Sequence, residues 1–351
     1  MRLSKPRPGP PRGRLGAAGR GTNLALLALV PLALATGVLA FAVGSGWARW
    51  VVVAHGVAGF AILGLSPWKS VVIHRGVRRR RPGRSASMAL TGLVAVATAT
   101  GILHSTGLAV SVAGITLMQV HVASALCSLP FAAWHVMARR VRPRITDLSR
   151  RTFLRSGIVV GGAALGYGGV QGLLRLTGLP GGDRRFTGSY EAGSFDPDSM
   201  PVTEWLDDSV PAVDPESWAL RVEAGAMGGT YRYSGLSAFD DRVRAVIDCT
   251  GGWFAEQEWE GVRLDRLLPG WEQARSIEVH SVTGYSRRFP AADAPSLLLA
   301  LRAGRRPLAA GHGFPARVVA PGRRGFWWVK WVDAVELSST PWWWQPPFPL
   351  T

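Results

Sequence analysis

The residue with the most distinctive chemistry in this chain is Cys249. It lies in Val246-Ile-Asp-Cys-Thr-Gly-Gly-Trp-Phe254, where an apolar strand delivers it directly into a glycine turn. A cysteine inside a strand packs as a small hydrophobe. At the strand's end, beside Gly251 and Gly252, it can instead project into a cleft where a bulky group approaches the backbone. As a thiolate it is a soft metal ligand or a nucleophile. Histidine supplies the second set. Five of the seven, His55, His74, His104, His121 and His135, lie in or beside long apolar segments, where ionisable groups are costly and mark function. His121 and His135 are fourteen residues apart, which puts them within about 40° of one helix face and roughly 21 Å apart at ~100° and ~1.5 Å per residue. That spacing suits two haems stacked across a bilayer, each held by histidines of facing helices. Depth pairs His55 with His121 and His74 with His135, although Pro67 disturbs the register before His74. His104 is an alternative outer ligand or a quinone-site residue. A packing histidine is the plain alternative for each.

The elements that must position these residues divide at about residue 180. The whole chain has 351 residues and a net charge of +17. Residues 1–180 hold 22 of the 40 Lys/Arg and one acid, Asp147, giving +21, whereas residues 181–351 carry 18 bases and 22 acids, giving −4. The basic residues cluster between apolar runs, which is a topology signal and excludes a nucleic-acid-binding face. With 47% hydrophobic and 18% charged residues, the chain is not intrinsically disordered. Two cysteines, Cys127 and Cys249, exclude a disulfide framework and any CxxC cluster site.

Five segments are long and apolar enough to span a bilayer: Leu24–Gly44, Trp47–Ile73, Met88–Leu108, Val110–Met137 and the glycine-rich Phe153–Leu174. Arginine and lysine stay on the cytoplasmic side. They cluster in the tail (Arg2 to Arg20), after the second segment (Arg75 to Arg84) and after the fourth (Arg139 to Arg151). The expected organisation is a basic cytoplasmic tail over 1–21 and a four-helix transmembrane bundle over 22–137. A basic loop with a fifth transmembrane helix follows over 138–175, then a linker over 176–199 and an extracytoplasmic domain over 200–351. Ser149-Arg150-Arg151-Thr152-Phe153-Leu154-Arg155 resembles a twin-arginine export signal, a receptor-read address that implies export of a folded, cofactor-loaded domain. The bundle is similar in general architecture to small four-helix cytochrome b membrane proteins.

In the outer domain, short β-branched strands at 218–222, 244–247, 276–279, 317–319 and 334–337, with helical patches at 264–268 and 296–300, read as mixed α+β. No GxGxxG, P-loop or Ser-His-Asp arrangement stands out. Ser281-Val-Thr-Gly-Tyr285, Gly311-His-Gly-Phe-Pro-Ala-Arg-Val-Val-Ala-Pro-Gly322 and Gly325-Phe-Trp-Trp-Val-Lys-Trp331 follow the cysteine segment. Together, over about Pro201–Leu337, these resemble the molybdopterin domain of the sulfite oxidase family in order and spacing. The expected fold is therefore multi-domain: an all-α transmembrane helix bundle followed by an α+β sulfite-oxidase-type molybdopterin-binding domain. The resemblance implies that Cys249 gives its sulfur to molybdenum, beside Thr250 and Gly251. It also implies that His312, Arg317 and Lys330 contact the pterin and its phosphate. An Arg fork and a Lys point charge suit a dianionic phosphate, and Gly325 permits close backbone approach.

Sulfite-oxidising members place two arginines four and five residues after the cysteine; here those positions are Trp253 and Phe254. This aromatic neighbourhood, with Tyr285, looks more like the bacterial periplasmic branch that reduces protein-bound methionine sulfoxide, whose partner is a separate haem b membrane protein. The family's upstream pterin-cradling segment has only Pro201-Val-Thr203 as a candidate. No immunoglobulin-like dimerisation domain is expected, and the chain is expected to be monomeric. The expected activity is oxygen-atom transfer at molybdenum-molybdopterin, reducing a small S- or N-oxide or a protein methionine sulfoxide. Electrons would come from membrane quinol through one or two b-type haems. The rival readings are a sulfite-type oxidase passing electrons to the membrane and a non-catalytic anchored binding or sensory domain.

Overall fold

The structure is a computed structural model that describes residues 19–78, 83–138, 141, 143–204 and 208–349. The basic tail at 2–14 and the arginines at 79–81, 139, 140 and 142 lie outside these residues. The chain forms two compact units, Met1–Val38 with Trp50–Asp183, and Leu39–Arg49 with Arg184–Thr351.

The first unit is helical: α1 Arg20–Ala42, α2 Ala48–Arg78, α3 Arg84–Thr106, α4 Leu117–Ala138 and α5 Arg150–Thr177. All five helices are long and apolar enough to cross a membrane. No more than 17% of the most apolar stretch of any of them is buried within the chain, which leaves wide apolar faces for a lipid solvent. The fourth segment is shorter than the apolar run suggests. β1 (Ser111–Val112) and β2 (Ile115–Thr116) form a hairpin ahead of α4. Its two-residue loop, Ala113 and Gly114, has φ of 51° and 81°, the left-handed pair that a tight hairpin turn needs. The Gln119 side chain then accepts from Thr116 N at 2.8 Å and closes the helix start. α5 begins inside the twin-arginine-like motif, with Ser149 as N-cap accepting from Thr152 N at 3.2 Å. Asp147, the single acid of the first 180 residues, pairs with Arg20 through Nε at 3.0 Å and Nη2 at 2.6 Å. The start of α1 and the Ile145–Asp147 turn ahead of α5 therefore lie at one end of the unit.

The second unit is built on two sheets. The six-stranded sheet contains β3 (Tyr190–Glu191), β6 (Asp241–Asp248), β7 (Trp253–Arg263), β10 (Leu298–Ala303), β11 (Arg306–Pro307) and β12 (Arg317–Val319). The five-stranded sheet contains β4 (Ala219–Glu223), β5 (Gly229–Arg232), β8 (Ser276–Ser281), β9 (Ser286–Pro290) and β13 (Val332–Ser338), in the order β5-β4-β13-β8-β9. Leu220, Ile277, Val279 and Val335 of the one and Trp259, Val262, Leu299 and Val318 of the other join a single buried core. This is a mixed α+β domain with only short helical turns, such as Leu264–Leu267.

Two expectations are corrected. Of residues 296–300 only Ser296 is helical, as the end of the short turn Ala291–Ser296, because 298–303 is the strand β10, flanked by β7 and β12 and almost wholly buried. Nor is the segment 176–199 only a linker. Helix α5 runs to Thr177, and β3 pairs in parallel with β7 through Tyr190↔Trp253 and Glu191↔Phe254. Thr187 and Ser189 are buried beneath the cysteine turn.

Candidate active site

β6 and β7 are joined by the four residues Cys249–Gly252. Cys249 N donates to Trp253 O at 2.9 Å and Gly252 N donates back to Cys249 O at 3.2 Å. Gly252 has φ 95°, so a left-handed residue is needed there and glycine supplies it without strain. The turn leaves Cys249 lining a cleft between the loops that carry Thr203, His312 and Lys330. Gly251 N lies 3.3 Å from the sulfur and donates to it. A Cβ at Gly325 would come within 3.0 Å of Cys249 Cα, so the glycine lets the two loops close on each other. Burial pushes the Cys249 thiol pKa up, against the pull of Gly251 N–H and the Arg324 charge.

The sequence-derived residues Cys249, Thr250, Trp253, Tyr285, His312, Arg317, Gly325 and Lys330 all line this cleft, as do Pro201 and Thr203. Thr203 Oγ1 accepts from Trp253 Nε1 at 3.0 Å, tying the upstream segment to the cysteine turn. Gly251 faces the sulfur from within the turn. Phe254 does not line the cleft. Side chains alternate along a strand, so it turns away from Trp253's face and lies under the Arg185 guanidinium, 5.2 Å from its ring centroid.

The cationic wall comes from two loops. Arg317 is fully buried on β12, with Nη1 donating to His312 O at 3.1 Å and Nη2 to Trp328 O at 3.3 Å, while its Nε has no hydrogen-bond partner. Burial lowers its pKa to about 10. Lys330 Nζ donates to Glu204 at 2.6 Å and to the Thr203 and Gly311 carbonyls at 3.1 Å. Burial lowers its ammonium pKa while Glu204 holds it up. Burial, with Arg317 and Lys330 nearby, depresses His312 to about 4, so its ring is neutral at ordinary pH. Tyr285 donates its hydroxyl to Phe326 O, and burial pushes its pKa up.

A molybdopterin fits these residues. The cleft presents a soft sulfur at one wall and an Arg, a Lys and a His at another. The orphaned Arg317 Nε and the Lys330 charge are donors of the kind an anionic phosphate satisfies.

Sequence reasoning missed the support behind Cys249. Asp248, 3% exposed, accepts from Ser189 at 2.6 Å, Thr187 at 2.8 Å and Arg185 at 3.1 Å, and pairs with the fully buried Arg324. Arg324 Nη2 also donates to Cys249 O at 3.2 Å. The signal was present in the chain: an acid closing an apolar strand, one residue before the cysteine, and an arginine directly before Gly325. Glu204 and Asp208, which place carboxylates in the cleft wall, were also missed.

In the helical unit, His55 and His121 stand with ring centroids 5.9 Å apart and planes at 90°. His55 Nδ1 donates to Ala33 O at 2.9 Å and His121 Nδ1 to Ala97 O at 2.7 Å. Both rings thus keep Nε2 for a ligand role, the arrangement that metal-binding histidines adopt. The separation is near that of two imidazoles sharing one metal through bonds of ~2.0–2.1 Å. His74 is exposed, His135 Nδ1 lies 3.3 Å from Ser87 Oγ, and His104 is buried on α3.

Residues 207–344 match the family described as oxidoreductase molybdopterin binding domain. Mitochondrial sulfite oxidase of Rattus norvegicus is 30% identical over 168 residues, covering 37% of this chain and 31% of that protein. The Homo sapiens enzyme is 28% identical over 167 residues, covering 37% and 30%. The chain thus spans under a third of the length of these curated relatives. The sulfane dehydrogenase SoxCD from Paracoccus pantotrophus superposes with a TM-score of 0.34 at 21% identity, over 37% of this chain and 40% of that one. The residues 207–344 matched to that family include Cys249, His312, Arg317, Gly325 and Lys330 of the cleft, so this stretch of the chain matches a molybdopterin-binding oxidoreductase domain, and the chain is similar to the sulfite oxidases.

Proposed function

We propose that this chain is a monomeric, multi-pass cell-membrane enzyme that reduces a neutral S- or N-oxide, free or as protein methionine sulfoxide, with electrons from membrane quinol. The observation that carries it is the wall around Cys249 Sγ: Trp253, Tyr285 and the carboxylates of Glu204 and Asp208. Trp253 and Tyr285 offer no positive charge to a dianion and suit an uncharged oxide, while Glu204 is the counter-charge of Lys330. Cys249 would hold molybdenum, which would supply two-electron oxygen-atom transfer; the balance is one substrate oxygen released as water against two electrons and two protons from quinol. Arg317, Lys330 and His312 bind and orient the pterin. Asp248 and Arg324 fix the cysteine turn. His55 and His121 would hold a b-type haem, which would supply one-electron transfer between the membrane and the catalytic unit. The N-terminus lies in the cytoplasm and the catalytic unit outside it.

The curated relatives favour a second reading, a sulfite-type oxidase passing electrons the other way. Metal analysis and an optical spectrum of the purified full chain, with paired assays, separate the two. The reductase reading expects molybdenum, a Soret band and quinol-dependent reduction of a sulfoxide or N-oxide. Sulfite-driven reduction of an acceptor, without sulfoxide reduction, would establish the oxidase instead.

The export route gives a further expected outcome. Replacing Arg150 and Arg151 by lysine preserves the positive-inside charge, so an ordinary anchor keeps its orientation. A twin-arginine signal loses its receptor-read address and leaves the catalytic unit inside. In intact spheroplasts, added protease should digest the wild-type catalytic unit and spare that of the Lys-Lys variant; digestion of both would show that the motif is not used.

A further inference from the structure

The two helices that receive the histidine hydrogen bonds carry closely matching short sequences, identical at five of seven positions. Ala33-Leu34-Ala35-Thr36-Gly37-Val38-Leu39 of α1 corresponds to Ala97-Thr98-Ala99-Thr100-Gly101-Ile102-Leu103 of α3. The carbonyl contacts of the two helices correspond, and Thr36 Oγ1 also lies 3.4 Å from His55 Nδ1. Thr36 donates its hydroxyl to Leu32 O at 2.6 Å and Ala33 O at 3.1 Å. Thr100 donates to Val96 O at 2.7 Å and Ala97 O at 3.2 Å. The Ala33 and Ala97 carbonyls are the ones that accept His55 and His121. Both threonines are buried, each 9% exposed. A Cβ at Gly37 would stand 3.0 Å from His55 Cε1, and one at Gly101 would stand 2.9 Å from His121 Nδ1. Only glycine leaves a gap through which each ring reaches a carbonyl that the helix already uses.

We propose that α1–α2 and α3–α4 are two copies of one histidine-presenting hairpin, with Thr36-Gly37 and Thr100-Gly101 the positioning residues of a single two-histidine haem site shared between them. This rests on the haem reading above and deepens it. A hydrogen bond from Nδ1–H fixes the ring's orientation, leaves Nε2 as the ligand atom and raises its basicity. His55 and His121 are equivalent under the repeat. His74 and His135 are not, since they follow those histidines by 19 and 14 residues, a difference of more than one helical turn. The duplicated hairpin therefore builds one haem site in place of the two stacked haems that histidine spacing alone suggests.

The test uses the full chain in detergent, with haem per chain measured as the pyridine haemochrome and the ferric protein read by low-temperature EPR. Wild type should hold one haem. Gly37→Ala and Gly101→Ala should each at least halve the haem content or, where haem stays, shift the EPR g values. Gly92→Ala, on the same helix but with nothing within 4 Å of its added Cβ, should match wild type, as should His135→Ala. Thr100→Val serves if the glycine variants do not accumulate. It frees the Ala97 carbonyl from one of its two side-chain donors, strengthens the His121 hydrogen bond and should lower the haem midpoint potential. Two haems per chain, a halved content in His135→Ala, or wild-type spectra and potential in all the glycine and threonine variants would overturn the proposal while leaving a haem relay standing. A wild-type chain without haem would overturn the relay itself.

Discussion

Cys249→Ser is expected to abolish turnover in a chain that still folds and still binds its pterin. The substitution is nearly isosteric, and a serine hydroxyl can accept the Gly251 N–H that now points at the sulfur. The turn is set by backbone bonds from Cys249 N to Trp253 O and from Gly252 N to Cys249 O, which the side chain does not touch. The residues assigned to the pterin, Arg317, Lys330 and His312, sit on other loops and keep their partners. What is lost is the soft sulfur donor, which a hydroxyl does not replace on a metal. Activity should fall to background while molybdenum content, by mass spectrometry, stays within about twofold of wild type, and X-ray absorption should show one sulfur ligand fewer. Near-normal turnover in a folded, molybdenum-loaded serine variant would remove Cys249 from the ligand set.

The cleft was legible in the chain where function is written in local spacing. The glycine turn after an apolar strand placed Cys249, whereas His312, Arg317, Gly325 and Lys330 came from the family resemblance, and all of them fall around the same cleft. The helical period put His121 and His135 on one face, and both histidines do meet α3, at Ala97 and Ser87. Where the reading failed, the controlling contact was distant or the local pattern was ambiguous. The run Leu297–Leu301 is apolar throughout, so periodicity cannot separate a buried strand from a helix; pairing with β7 and β12 decides it. Thr187 and Ser189 look like linker residues because their purpose, holding the Asp248 carboxylate, is about sixty residues away. Phe254 follows Trp253 in sequence, and neighbours on a strand face opposite ways. The parallel β4–β13 pair joins residues more than a hundred apart, and nothing in either segment announces its partner. The threonine-glycine repeat in α1 and α3 was in plain view, but it acquires meaning only once the carbonyl contacts of His55 and His121 are seen.

The second large effect is expected from Asp248→Asn, a change of one atom in the residue just before Cys249. Asp248 is 3% exposed and Arg324 1%, so their ion pair is made away from water. The carboxylate also collects Ser189, Thr187 and Arg185. Neutralising it leaves the Arg324 guanidinium buried without its counter-charge, and breaking a buried pair from one side costs about 3–5 kcal/mol. At roughly 2–4 °C per kcal/mol for a domain of 150–250 residues, the catalytic unit should melt about 10 °C lower by intrinsic tryptophan fluorescence. Replacing both partners should be far milder, because removing a buried pair also removes its desolvation cost. Asp248→Asn with Arg324→Met should therefore recover more than half of the lost melting temperature. The two variants then part company in function. Arg324 Nη2 holds the Cys249 carbonyl, and without that bond the cysteine turn is less firmly placed, so the double variant should regain stability without regaining full molybdenum loading. A single variant that melts within about 2 °C of wild type would show that the pair contributes little to the fold. Full loading in the stable double variant would show that Arg324 does not position the cysteine, and that the turn's own backbone bonds suffice.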